Sequence, residues 1–235
     1  MGGAVPRIEP AVTGYLQKQR EIAFIALKAS ENQGFALAGS GAIREHGLID
    51  RPTEDIDIFS TEKASATFKP TVGNVIIALR DHGFKVDIER QSDHFARLSV
   101  LDPDDGYQTE IDMGIDYRLF PTTRLNVGPV LSLADAVASK AAALFSRSET
   151  RDFLDFDSIR RKSSFSDKEL IDLIAKTDRG FDLHYFVQIL DKVSSIQPEQ
   201  VEHYGYSTAD LKGVQTRLSA FANQIRQGLV SDRHQ

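Results

Sequence analysis

The chain has 235 residues, of which 41% are apolar and 26% charged, ordinary globular usage that excludes wholesale disorder and fibrous classes. It contains no cysteine, which excludes a disulfide framework, a thiolate metal site and a cysteine nucleophile. Its 28 basic and 34 acidic residues leave a net charge of −6, which argues against nucleic-acid binding by bulk charge but permits a local basic groove. No apolar run approaches the ~20 residues of a membrane span, and Met1-Gly-Gly-Ala-Val-Pro lacks the pattern of an export signal. The expectation is a soluble cytoplasmic protein with no membrane partner.

Taken in chain order, the spacing of Tyr15, Leu16, Ile22, Ile25, Ala26 and Ala29 predicts a helix over 14–32, ended by Gly34. Phe35-Ala-Leu-Ala38 reads as a short apolar strand running into Gly39-Ser40-Gly41, and a short helix is predicted over 42–46. Ile56-Asp-Ile-Phe59 alternates as a half-buried strand does, and a helix is predicted over 71–82. Strands follow at Phe84–Ile88, Phe95–Leu101 and Tyr107–Ile115. The last two flank Asp102-Pro-Asp-Asp-Gly106, which is turn chemistry and predicts a hairpin. After Pro129 the period becomes helical. Ser132-Leu-Ala-Asp135, Ser166-Asp-Lys-Glu169 and Ser207-Thr-Ala-Asp210 all have the spacing of a capping box. The predicted organisation is an α/β (α+β) chain: a small mixed-sheet core over 1–130, then a helical domain over 131–235.

The chemistry concentrates in two places. Gly39-Ser40-Gly41 lies between a strand and a helix, where absent side chains let backbone N–H groups approach a phosphate. Asp55 and Asp57, two apart on a strand, send their carboxylates from one face while Ile56 and Ile58 point to the core. Two adjacent carboxylates repel, and a divalent cation with a preference for hard oxygen ligands, Mg²⁺ or Mn²⁺, removes that cost. A phosphate cradle beside a carboxylate pair is what metal-assisted nucleotidyl transfer needs. Taken singly, Gly-Ser-Gly is also a common turn, and Asp-x-Asp is also a solvated strand edge.

Gly39-Ser40 followed by Asp55-x-Asp57 resembles the minimal signature of the DNA polymerase β-like nucleotidyltransferase superfamily. The longer run Arg51-Pro-Thr53-Glu-Asp55-Ile-Asp57-Ile-Phe59 is similar to the AbiEii/AbiGii (MenT-like) toxin family within it. Fourteen residues separate Ser40 from Asp55, which is longer than usual for the family and implies a longer connecting loop. The resemblance implies transfer of NMP from an NTP to a hydroxyl, two Mg²⁺ ions, and a toxin of the type IV class with a cognate antitoxin. Relatives that modify the 3′ end of tRNA make tRNA the expected acceptor.

The superfamily also implies a third carboxylate. In Thr109-Glu-Ile-Asp-Met-Gly-Ile-Asp116 the acids share one face, and Asp112 at mid-strand is the first candidate, with Glu110 next and Asp87 behind. From the helical half, Lys140, Arg147, Arg151, Asp152 and Asp155 match the family's lysine, arginine and Arg/Lys-Asp-x-x-Asp positions. The implied catalytic set is Asp55, Asp57, Lys140 and Asp152, with Asp155 as the alternative to Asp152. Gly39, Ser40, Arg51, Thr53, Lys140 and Arg147 would hold the nucleotide, and Asp55, Asp57 and Asp112 the metal. Lys140 on an otherwise apolar helix either snorkels or holds a triphosphate.

Residues 118–168 carry nine Lys/Arg against six Asp/Glu, a local excess of three that suits either an RNA-backbone groove or a solvated helix face. The histidines show no metal-ligand spacing. Phe181, Tyr185, Phe186 and Ile189 have helical spacing and read as core. Two rivals stand beside the toxin reading: an aminoglycoside-type small-molecule transferase on the same core, and a catalytically silent nucleotide- or antitoxin-binding module. Retention of Asp55, Asp57 and Lys140 together argues against the silent module.

Overall fold

The computed structural model describes residues 10–232, in two compact units. One comprises the described part of Met1–Glu45 together with Pro52–Ser132, and the other His46–Arg51 with Leu133 onward. The change of period near 130 therefore falls close to a boundary, but the six residues His46–Arg51 group with the helical unit. A sequence reading has no means of assigning such an excursion, because grouping depends on contacts distant along the chain.

The first unit is built on a seven-stranded mixed sheet of order β3-β4-β5-β2-β1-β7-β6. Its strands are β1 (Ala36–Leu37), β2 (Asp55–Ser60), β3 (Lys85–Gln91), β4 (Phe95–Leu101), β5 (Gln108–Ile115), β6 (Thr123–Leu125) and β7 (Gly128–Val130). Helices α1 (Pro10–Ala29), α2 (Gly39–Glu45) and α3 (Phe68–Asp81) complete it. The predicted hairpin is β4–β5, antiparallel, with Leu101 opposite Gln108. β2 runs parallel to β5 and antiparallel to β1.

Alternation sorts the sheet's faces. Ile56 and Ile58 sit opposite Ile111 and Met113, which sit opposite Leu98 and Ala96, and all six are buried. α1 and α3 pack together and bury Ile22, Ala26, Leu27, Val72, Val75 and Leu79. Each buried Ile, Leu and Val side chain stabilises the unit by about 1.5–3 kcal/mol. The opposite face of the central strands is left to the acids.

Several elements differ from expectation: α3, predicted over 71–82, spans Phe68–Asp81, and β3, predicted as Phe84–Ile88, spans Lys85–Gln91. α1 ends at Ala29, and residues 31–33 form one 3₁₀ turn closed by Gly34 in the left-handed region (φ 69°). α2 begins at Gly39 itself, three residues earlier than the sequence suggests. Strands β6 and β7 were not expected; at three residues each they are too short to show a period, and they are defined by antiparallel pairing with each other and by the parallel pairing of β7 with β1.

The second unit contains α4 (Leu133–Ser146), α5 (Thr150–Lys162), α6 (Asp167–Thr177), α7 (Leu183–Asp191) and α8 (Thr208–Asp232). Ser166 and Glu169 cap α6 reciprocally, and Ser207 exchanges hydrogen bonds with Asp210 at the start of α8, as predicted. Phe153, Phe156, Phe186, Leu190, Leu218 and Phe221 form the core. Of the four residues expected in it, Phe186 and Ile189 are buried and Phe181 packs at its margin. Tyr185 is about half exposed, its ring edge-on to Phe145. No described helix is long and apolar enough to cross a membrane.

Candidate active site

The sheet's polar face orders the acids into two rows. Asp55 stands opposite Glu110, and Asp57 opposite Asp112, in the parallel β2–β5 ladder. Asp87, on β3, faces Ser99 and lies two strands from β5. Asp57 also closes on the glycine turn. Its carbonyl accepts from the Ala38 N–H at 2.8 Å, and its carboxylate occupies the space beside Gly39. A Cβ on Gly39 would stand 1.8 Å from Asp57 Oδ2, and Gly39 has φ +54°, so glycine is required there on two counts. Ser40, next in α2, is buried.

The start of β2 is fixed by side chains that the motif does not contain. Gln19 of α1 is buried and donates to the carbonyls of Thr53 and Asp55 at 3.0 and 3.3 Å. Arg44 of α2 donates to Thr53 Oγ1 at 2.8 Å and to Gln19 Oε1 at 2.9 Å. The Thr53 hydroxyl donates to Gln19 Oε1 at 2.6 Å. Thr53, expected to hold nucleotide, thus sits in a network that aligns the strand carrying Asp55 and Asp57.

Arg97 of β4 is the second residue the motif does not reveal. It stands opposite Asp112 and grips both its carboxylate oxygens, Nε and Nη2 each at 2.7 Å, while Nη1 meets Glu110 Oε2 at 3.0 Å. The hydrogen bond to Asp112, with the charges of Asp112, Glu110 and Asp55, outweighs burial and holds the guanidinium above the ordinary arginine range. Alternation in β4 puts Arg97 on the acids' face, and only pairing with β5 identifies its partner.

These donors suit a divalent cation in chemistry: four carboxylates on adjacent strands in facing register are hard oxygen ligands. In this structure Asp112 is turned to Arg97, and among the described residues no three His, Asp or Glu side chains are gathered around one point. An ion at this face would be held by Asp55 and Asp57, and Asp112 is the third carboxylate in the same register.

In the second unit the cations expected at a triphosphate meet an acid. Asp155 is buried and receives Arg51 Nε and Nη2 at 2.6 and 2.7 Å and Lys140 Nζ at 2.9 Å. Burial disfavours its charge, but the hydrogen bonds and charges of Arg51 and Lys140 prevail and hold its carboxyl below the usual carboxylate range. The Arg51 guanidinium also lies 5.2 Å from the centre of the Tyr204 ring.

Asp152, preferred on sequence for the catalytic set, occupies a different place. It is buried, accepts from the Glu149 N–H at 3.1 Å to cap α5, and pairs with Arg147 at 2.9 and 2.8 Å. Two acids three apart on a helix were indistinguishable by spacing. Tertiary contacts give Lys140 to Asp155 and Arg147 to Asp152.

The local excess of three positive charges is matched in space. Arg124 pairs with Glu31, Lys162 with Asp50 and Lys168 with Asp172, all acids outside 118–168. Arg160, Arg161 and Arg151 pair with Asp167, Asp157 and Glu149.

The family model described as "Nucleotidyl transferase AbiEii toxin, Type IV TA system" matches residues 24–227. The crystal structure of JHP933 from Helicobacter pylori is similar with a TM-score of 0.56 at 18% identity, covering 97% of each chain. A second H. pylori protein, described as a candidate nucleotidyltransferase, has a TM-score of 0.62 at 16% identity, covering 95% of this chain and 98% of the other. These likenesses establish the fold. No curated protein is similar to the chain in sequence.

Proposed function

The chain belongs to the AbiEii nucleotidyl transferase toxin family of type IV toxin–antitoxin systems, and from that premise we propose that it transfers NMP from an NTP to the 3′-terminal hydroxyl of tRNA in the cytoplasm. The observation that carries the reading is the fit of Asp57 against Gly39, which joins the glycine turn and the carboxylate pair into one site. In the reaction the acceptor oxygen bonds to the α-phosphorus, the bond from that phosphorus to the bridging oxygen breaks, and pyrophosphate leaves. The acceptor proton passes to solvent. Mg²⁺ or Mn²⁺, when bound, supplies Lewis acidity and neutralises phosphate charge.

This chain's residues supply position. Gly39 and Ser40 open α2, where backbone N–H groups would meet a phosphate. Asp55 and Asp57 present oxygen ligands from one strand face. Lys140 and Arg51 form a buried cationic pair on Asp155, which holds the Lys140 ammonium in one place. A cognate antitoxin is the expected protein partner.

The test is incubation of the purified chain with total RNA, Mg²⁺ and each α-labelled NTP in turn. Label from one or two nucleotides should enter small RNA and disappear with EDTA. Label entering an aminoglycoside instead would establish the small-molecule rival. No transfer with any nucleotide, while nucleotide binding persists, would establish the silent module.

A further inference from the structure

We propose that Arg97 is the resident counter-ion of the acidic strand face and a positioning residue for Asp112: it holds that carboxylate while no divalent cation is bound and releases at least one oxygen when a cation binds. The proposal rests on the reading that Asp55 and Asp57 take a divalent cation.

Three observations support it. The first is register. Arg97, Asp112 and Asp57 stand in one row across β4, β5 and β2, and Ser99, Glu110 and Asp55 in the next. Four acids on two adjacent strands repel one another, and Arg97 is the cation from the neighbouring strand that meets two of them. The second is geometry. The guanidinium engages both oxygens of Asp112 and one of Glu110, a span that suits its planar fork and that a lysine's point charge does not reproduce. With both Asp112 oxygens taken, ligation of a cation by Asp112 requires one to be given up. The third is access. The Arg97 side chain is 38% exposed whereas that of Asp112 is 11% exposed, so the guanidinium can withdraw toward solvent while the carboxylate stays in place.

Arg97 thereby opposes a second cation at the same acids while keeping Asp112 aligned for it. Its removal should tighten binding of a divalent ion roughly tenfold, because it deletes one nearby positive charge and frees an Asp112 oxygen to ligate.

The experiment is Mn²⁺ titration of the full chain without nucleotide, by electron paramagnetic resonance or calorimetry, on wild type, Arg97→Gln, Asp112→Asn, the double variant and Asp57→Asn. Arg97→Gln should bind Mn²⁺ roughly tenfold more tightly. It should melt lower than wild type without Mn²⁺ and recover when Mn²⁺ is added. The gain should shrink in the double variant relative to Asp112→Asn, because the part carried by the freed Asp112 oxygen is lost while the part due to the deleted charge beside Glu110 remains. Should Arg97→Gln fail to fold, Arg97→Lys keeps the charge but not the two-oxygen grip and should still tighten Mn²⁺ binding severalfold. Unchanged or weaker Mn²⁺ affinity in the arginine variants, with binding abolished by Asp57→Asn, overturns the counter-ion role and leaves the metal reading intact. Binding indifferent to Asp57→Asn, or no binding by wild type, overturns the metal reading and the proposal with it.

Discussion

The carboxylate of Asp57 fills the position that a side chain on residue 39 would take: Oδ2 lies 1.8 Å, and Cγ 2.7 Å, from an ideal Cβ on Gly39. The glycine of the turn and the acid of the strand are therefore one structural decision, although seventeen residues separate them. The turn is tight because the acid sits against it, and the acid is oriented because the turn leaves it one place.

Gly39→Ala should accordingly damage the site before it damages the fold. The left-handed backbone costs about 1–2 kcal/mol with a Cβ present. The larger effect is rotation of the Asp57 carboxylate out of contact. Nucleotidyl transfer should fall at least roughly a hundredfold, the scale of a misplacement near 1 Å. A thermal melt beside the transfer assay checks this. A variant with full activity and only a lower melting temperature would show that the contact is structural alone.

Asp155→Ala should be more destabilising than Lys140→Met. The first leaves two buried cations, Arg51 and Lys140, without their shared carboxylate. The second leaves Asp155 paired with Arg51. Breaking a buried pair by removing one partner costs about 3–5 kcal/mol. Denaturant unfolding should place Asp155→Ala in that range and Lys140→Met clearly below it. Because Lys140→Met retains the fold, its loss of transfer activity would report on chemistry.

Asp152 should separate from Asp155 in the same assays. Asp152→Asn keeps a group able to accept from Glu149 N–H but loses the ion pair with Arg147, whose side chain is 42% exposed. The expected cost is about 0.5–2 kcal/mol, typical of a weakened cap, with kcat within a few-fold of wild type. A kcat reduced a thousandfold at normal stability would return Asp152 to the catalytic set.

Alkaline pH should loosen the helical unit through Tyr206. Burial, and then the charges of Asp155 and Asp157, push its phenol up to about 12 from an ordinary 10.0. A folded value above the unfolded one means that its contribution is complete below pH 10 and is lost as pH rises through about 12. Asp155 has the opposite sign: its contribution is present above 3.8 and is lost only as pH falls through its lowered folded value. Unfolding midpoints compared at pH 9 and pH 11 should fall for wild type and fall less for Tyr206→Phe. Equal pH dependence in the two proteins would remove Tyr206 from this account.

The sequence by itself determined what depends on short-range order. Alternation put Asp55 and Asp57 on one strand face, because successive side chains leave a strand on opposite sides, and the same rule put Glu110 and Asp112 together on β5. The β4–β5 hairpin and the caps of α6 and α8 followed from residues within a few positions of each other. The tertiary structure decided everything that depends on which strand or helix lies beside which. It set Asp112 opposite Asp57, gave Asp112 to Arg97, and brought Gln19 and Arg44 to the start of β2. It also assigned Arg51 to Asp155 across 104 positions of sequence, and matched the basic run with acids outside it. The physical reason is one of range: local periodicity fixes the direction in which a charge points, whereas its partner is chosen by packing between segments whose separation along the chain carries no record of the pairing.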